Sequence, residues 1–126
     1  MANITGTGSN LVASNDVHLT ATSMPLNAFG FFLTSRTAGS VANPGGSQGV
    51  LCLGGSIGRY VGPGQIMNSG LAGSIALQID LTSMPQPAGA AAVVPGDTWN
   101  FQAWFRDSVG GSTTSNFSNG LTAVFQ

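Results

Sequence analysis

Two segments of the chain match the G-x-S-x-G pattern, in which a serine on a strained turn between a strand and a helix acts as a nucleophile. They are residues 45–49 (GGSQG) and 54–58 (GGSIG). No helical pattern follows either match, and His18, the only histidine, precedes both serines, whereas in that hydrolase fold it follows the serine. Two matches in one Gly/Ser-rich chain therefore indicate composition rather than catalysis. We expect no enzymatic activity and no hydrolytic role for Ser56.

Carboxylates and the histidine give little basis for a metal site. The chain has no Glu, and its aspartates are Asp16, Asp80, Asp97 and Asp107. They are far apart in the sequence, so no single loop presents the several oxygens that calcium needs. A structural calcium site that combines Asp97 or Asp107 with backbone carbonyls of other loops is kept as an alternative. His18 is predicted on the exposed face of a strand, where we expect a solvated side chain. No cofactor is expected.

Aromatic side chains offer a third kind of chemistry, the stacking of a sugar ring. Trp104 and Tyr60 could form such a platform if the sheet face that carries Trp104 is open to solvent. Side chains alternate between the two faces of a strand, so Arg106 lies on the same face as Trp104. Arg106 is therefore a third candidate ligand-binding residue. If the face is covered instead, Trp104 belongs to the core, and for a chain this apolar we favour the covered arrangement.

The elements that would position these residues are strands. After a turn at residues 95–97 (PGD), residues 98–106 alternate between a polar face and an apolar one, which predicts a half-buried strand around which the sheet is built. Residues 28–35 are apolar on both faces, as in a central strand covered on both sides. Residues 17–22 alternate as well, whereas residues 37–49 are typical of a long Gly/Ser/Asn/Pro loop.

Glycine and proline set the fold class. The 19 Gly and 6 Pro residues recur along the whole chain and leave no long helical window. About eight or nine short strands separated by frequent turns predict an all-β fold, a two-sheet antiparallel sandwich of jelly-roll or Ig-like Greek-key type. We expect residues 1–126 to form a single domain, with residues 1–10 as an irregular lead-in.

The charge content excludes two classes of partner. Charged residues make up 6 % of the chain, against about 25 % in typical domains, and there is no Lys. Three scattered arginines and a net charge of −1 cannot neutralise a phosphate backbone, so we expect neither nucleic-acid nor anionic-membrane binding. No apolar run approaches the roughly 20 residues of a membrane helix.

Several segments together carry a family resemblance. They are residues 27–35 (NAFGFFLTS), 43–49 (NPGGSQG) with 51–59 (LCLGGSIGR), and 99–107 (WNFQAWFRD) with 115–118 (SNFS). On these segments the chain resembles a domain family at the C-terminal ends of large secreted proteins of environmental bacteria. The resemblance covers most of the chain. It implies a secreted, extracellular module without assigned catalysis, appended to other domains.

The same resemblance bears on Cys52, the only cysteine. Many members of the family carry a cysteine just before the segment that corresponds to Asn3, where this chain has Met1 and Ala2. The resemblance thus implies a trimmed fragment, whose longer natural chain pairs Cys52 with a cysteine upstream of residue 1. Taken by itself, Cys52 in an apolar strand is most simply a buried small hydrophobe. The start of the chain has no secretory signal pattern, so either the protein is cytoplasmic or Met1 replaces a removed leader in a fragment, and we favour the fragment.

Three classes of function are considered, and an enzyme is the least favoured of them. Low charge, strands apolar on both faces and strand edges without lysine favour a non-catalytic extracellular structural or adhesion module, which self-associates or packs on neighbouring domains of the same protein. The alternative is a carbohydrate-binding module that presents Trp104 and Tyr60 to a polysaccharide. A solvent-exposed Trp104 and Tyr60 would favour this alternative.

Overall fold

The computed structural model describes residues 2–109 and 111–126, and it confirms the predicted β-sandwich. These residues form 11 strands, two short 3₁₀ helices and no α-helix. The strands are β1 (Asn3–Gly8), β2 (Val17–Thr22), β3 (Phe29–Ser35), β4 (Thr37–Ala42), β5 (Val50–Gly54), β6 (Gly58–Arg59), β7 (Met67–Asn68), β8 (Ile75–Ile79), β9 (Thr98–Val109), β10 (Ser112–Phe117) and β11 (Leu121–Val124). The count exceeds the expected eight or nine partly because β6 and β7 are only two residues long.

Two antiparallel sheets pack against each other. The first has three strands in the order β1-β2-β8. The second has six strands: its path runs β10-β9-β3-β6, while β11 also pairs with β9 and β7 with β3. Strands β4 and β5 form a separate hairpin. The long strand β9 therefore organises the second sheet, as its alternation predicts.

The core lies between the two sheets. Trp99, Phe101, Ala103 and Phe105, the apolar face of β9, are all buried, which confirms the predicted face. Phe32 of β3 lies opposite Ala103, and side chains of the first sheet pack against this layer. Each large apolar side chain that is fully buried in this way contributes about 1.5–3 kcal/mol of hydrophobic free energy. Because these side chains of β9 are buried in the core, the alternate side chains of the strand point to the outer face of the second sheet.

The expectation of an irregular lead-in is wrong. Residues 3–8 form β1, which pairs with β2 along its whole length, from Asn3 opposite Thr22 to Gly8 opposite Val17. Only Ile4 of this strand is buried, so the sequence shows no apolar alternation there and the pairing with β2 decides the structure. At the hairpin turn Gly8 has φ +107° and meets the carbonyl of Asp16 so closely that no side chain fits.

Residues 37–49 are not the long loop that the sequence predicts, because part of this segment is a strand. Their first half is β4, and the β4–β5 hairpin lies on the outer face of the second sheet. Gln102 of β9 holds it there: the Cys52 amide donates to Gln102 Oε1 (2.9 Å), and Gln102 Nε2 donates to the Val50 carbonyl (2.8 Å). The hairpin buries Gln102 and Leu33, although both face away from the core. Burial of the outer face continues toward the start of β9, whereas the part toward the end of β9 is only half-buried.

Candidate functional site

The part of the outer face toward the end of β9 carries a row of half-buried aromatic side chains. Phe31 of β3 lies directly opposite Trp104 of β9, and Trp104 lies directly opposite Phe117 of β10. Directly opposed residues of antiparallel strands share a face, so the three rings form one row across three strands. The ring centroids of Phe31 and Trp104 are 4.9 Å apart with an interplanar angle of 34°. We call Phe31, Trp104 and Phe117 the aromatic row.

Arg106 and Phe29 lie beside this row, one step along the same face. The Arg106 guanidinium carbon is 5.2 Å from the centroid of the Trp104 ring, a cation–π contact at the surface. Phe29 is 56 % exposed although it is a large apolar side chain, and it lies opposite Asn68 of β7. The outer face thus combines aromatic rings with a cation and can stack on, or pack against, a flat partner.

The structure places Trp104 differently from the favoured prediction. Trp104 is partly exposed on the outer face and does not belong to the core cluster. The reason is that burial of the outer face extends along β9 from Asn100 to Gln102, where the β4–β5 hairpin lies over it, and leaves the part near Phe31 half-buried. The sequence pattern shows which face Trp104 occupies, but not where the covering hairpin ends.

Tyr60 does not join Trp104. Its side chain is 3 % exposed and lies in the core, with its hydroxyl 3.4 Å from Met84 Sδ. The Tyr60 amide donates to the Phe32 carbonyl, which continues the β6–β3 pairing and sets Tyr60 on the same face as Phe32. Burial, followed by the negative charge of Asp80, raises the pKa of Tyr60 well above its ordinary value. The proposed Trp104–Tyr60 platform is therefore not formed.

Three exposed aliphatic side chains lie in the segments that flank β3 and β7. The exposed fraction is 59 % for Leu26, 51 % for Ile66 and 85 % for Leu71. Backbone hydrogen bonds join their segments: the Asn27 amide donates to the Gly70 carbonyl (2.9 Å), and the Ser69 amide to the Ala28 carbonyl (2.8 Å). We call Leu26, Phe29, Ile66 and Leu71 the apolar corner.

The candidate nucleophile and its candidate base lie apart. Ser56 is exposed in the turn between β5 and β6, and no helix follows it. His18 is exposed on β2 of the other sheet, where its Nε2 is 3.0 Å from Asp16 Oδ1. No arrangement of a serine with a histidine base is formed between them.

Asp97 and Asp107 accept hydrogen bonds at opposite ends of β9. Asp97 Oδ2 accepts a hydrogen bond from the Val94 amide before β9, whereas Asp107 Oδ2 accepts one from Asn116 near the far end of β9. Asp80 has a pKa below its ordinary value, chiefly because the Thr82 hydroxyl donates to its carboxylate. Within residues 2–109 and 111–126 no three His, Cys, Asp or Glu side chains group as metal ligands would.

Cys52 is half-buried and its thiol is free. It lines a surface pocket of about 450 Å³ together with Ala2 and residues 116–119. The predicted full burial is therefore only partly correct, because the hairpin that carries Cys52 covers the outer face from outside. Ala2 and Cys52 line the same pocket. The disulfide of Cys52 stays a prediction.

Gln102 is the structurally important polar residue that sequence reasoning missed. It is fully buried, and its Nε2 also donates to the Ser118 carbonyl (2.6 Å). Gln102 lies on the polar face of the predicted strand, so the sequence predicts a side chain that faces solvent. No signal in the sequence shows that a hairpin will cover this side chain.

Comparisons with known proteins assign the chain to no family. No protein-family model matches the chain, and no curated protein or solved structure matches it. Nowhere in the described ranges, 2–109 and 111–126, is there a helix with the length and hydropathy needed to cross a bilayer.

Proposed function

We propose that this domain is a non-catalytic structural or adhesion module of a secreted protein, whose copies associate with one another. The observation that carries the proposal is the apolar corner, where Leu26, Phe29, Ile66 and Leu71 are all more than half exposed. Backbone hydrogen bonds and strand pairing join the segments that carry these side chains. Exposed apolar side chains grouped in this way mark a contact site, whereas single exposed apolar residues need no explanation.

The surroundings of the corner suit a protein partner. The aromatic row and Arg106 lie next to it, and aromatic residues and arginine are the types enriched at protein interfaces. The net charge of −1 and the absence of Lys mean that little electrostatic repulsion keeps two copies apart. The extracellular location in this proposal is supported by the resemblance to domains of secreted bacterial proteins.

A pair of matched variants tests the proposal. Phe29 and Val124 are both 56 % exposed, but Val124 lies on β11, away from the corner. We expect Phe29→Ser to weaken self-association, measured by light scattering over a range of protein concentrations, and Val124→Ser to leave it unchanged. Equal behaviour of the two variants would show that the corner plays no part in association.

Carbohydrate binding is the second candidate, and the aromatic row is the observation that favours it. Trp104 and Phe31 form a ring pair at an open sheet surface, and the Arg106 guanidinium next to them has hydrogen-bond donors suited to sugar hydroxyls. A glycan screen with the native protein and with Trp104→Ala tests this function. Binding that the variant loses would support it, and the absence of any glycan ligand would remove it.

A further inference from the structure

Strand β8 leaves one side of the first sheet unpaired. It pairs with β2 from Ile75 to Ile79 and is the outer strand in the order β1-β2-β8. Among the described residues, 2–109 and 111–126, no other segment forms a backbone hydrogen bond with residues 75–79. Beyond the end of β8, the Asp80 carbonyl accepts from the Ser83 amide (3.2 Å) in a local turn, and the Leu81 carbonyl accepts from the Val93 amide (2.8 Å).

The register shows which backbone groups of the first sheet point outward. The Ile4 amide of β1 donates away from β2, to Asn119 Oδ1 (2.9 Å). Ile4 and the residue opposite, Ala21, therefore form a pair without mutual hydrogen bonds, because such pairs alternate with bonded ones along antiparallel strands. The backbone groups of Ala21 must then turn toward β8.

The same alternation carries through to β8. Ala21 lies opposite Ile75, so Ile75 and every second residue after it are hydrogen-bonded to β2. The residues between them, Ala76 and Gln78, direct both their N–H and their C=O groups to the open side. This edge is thus a regular set of donors and acceptors with the spacing of a sheet.

The edge also lacks the usual protection. Natural sheets guard their edges with lysine, inward-pointing charges, proline or bulges. Strand β8 (IALQI) contains no lysine, no other charged residue and no proline, and its pairing with β2 has no bulge. Leu77 is only half-buried, although it lies opposite the fully buried Leu19.

We infer that β8 pairs antiparallel with β8 of a second copy, about a two-fold axis at Leu77. This inference rests on the proposed self-association and names the surface that performs it. In this register Ala76 lies opposite Gln78 of the second copy, so that all of their outward N–H and C=O groups find partners. The two three-stranded sheets become one continuous sheet.

The second copy fits this edge better than an unrelated strand because the edge is complementary to itself. The axis at Leu77 places the two Leu77 side chains opposite each other, where each covers the half-exposed part of the other. Ile75 meets Ile79, and Asp80, the first charge after β8, meets Ser74, so no like charges are opposed.

A charge placed on the edge tests the pairing. Thr7, His18 and Gln78 form one row across the first sheet, with Thr7 on the opposite edge strand, and both Thr7 and Gln78 are exposed. We expect Gln78→Lys to weaken the dimer by roughly tenfold or more, as lysine does at natural edges. The matched variant Thr7→Lys should leave the dissociation constant unchanged. Association that survives Gln78→Lys would overturn the inference but not the proposed function.

A cross-link tests the axis directly. Opposed residues without mutual hydrogen bonds have Cα atoms about 4.5 Å apart, within the roughly 4.4–6.8 Å that a disulfide spans. In a Cys52→Ser background, Leu77→Cys should give a covalent dimer on oxidation, while Thr5→Cys on β1 should stay monomeric. If wild type associates and Leu77→Cys gives no more cross-link than Thr5→Cys, the inference fails and the proposed function stands. A wild type that never associates overturns both.

Discussion

Replacing Gln102 by methionine should destabilise the domain far more than its polar, outward-facing position in the sequence suggests. The side chain is fully buried under the β4–β5 hairpin and makes three hydrogen bonds, with the Cys52 amide, the Val50 carbonyl and the Ser118 carbonyl. Methionine has a similar length and shape but can make none of these bonds. Gln102→Met therefore removes the bonds while it leaves the packing nearly intact.

The magnitude follows from where the three partners lie. Ser118 is a buried residue, so its unpaired carbonyl costs about 1–3 kcal/mol. Cys52 is half-buried and Val50 is 44 % exposed, so their backbone groups regain water and cost about 0.5–1.5 kcal/mol each. The free energy of unfolding should fall by about 3 kcal/mol. For a domain of this size that loss lowers the melting temperature by about 12 °C.

Urea unfolding followed by tryptophan fluorescence measures this loss, with Gln48→Met as the control. Gln48 is exposed, and its backbone amide, not its side chain, bonds Ser115. The control should stay within about 0.5 kcal/mol of wild type. If Gln102→Met also lowers the free energy of unfolding by less than about 1 kcal/mol, Gln102 does not hold the hairpin in place. The position of the hairpin would then not account for the partial exposure of Trp104.

The remaining predictions concern the single tyrosine, the single cysteine and a serine. Because burial favours the neutral Tyr60 phenol, its folded pKa exceeds the unfolded value of about 10, and stability present below pH 10 should be lost above it, with a slope approaching 1.4 kcal/mol per pH unit. Urea titrations should show this slope in wild type and not in Tyr60→Phe. A longer natural chain should contain a disulfide from Cys52 to an upstream cysteine, and a free Cys52 in its peptide map would refute this. Ser56→Ala should leave any ester hydrolysis unchanged; loss of activity would reinstate a catalytic serine.

The sequence predicted the parts of the fold that rest on alternating burial. The apolar face of β9 and the central position of β3 follow from side chains that must leave water. Strand β1 was missed because only Ile4 faces the core, so its structure depends on a partner that is distant in the sequence. Backbone pairing of this kind leaves no periodic signal in a strand of Thr and Gly.

The candidate site was predicted only in part, for a similar reason. Alternation places Trp104 and Arg106 on one face, and the structure agrees. The exposure of Trp104 depends on how far the β4–β5 hairpin extends, and the burial of Tyr60 depends on the register of a two-residue strand. Both are tertiary outcomes that a single sequence does not encode locally. Phe31 and Phe29 become visible as neighbours of Trp104 only through the β3–β9 register.

The central claim is that copies of this domain associate through uncharged surface, and the mass of the wild-type protein in solution tests it most directly. Light scattering should be measured over rising protein concentration, at low salt and at about 0.5 M salt, where the Debye length is only about 4–5 Å. Association through the β8 edge and the apolar corner should appear with concentration and should persist or strengthen at high salt. A protein that stays monomeric at every concentration up to about 1 mM would contradict the claim, since even a weak association of about 4 kcal/mol would show there.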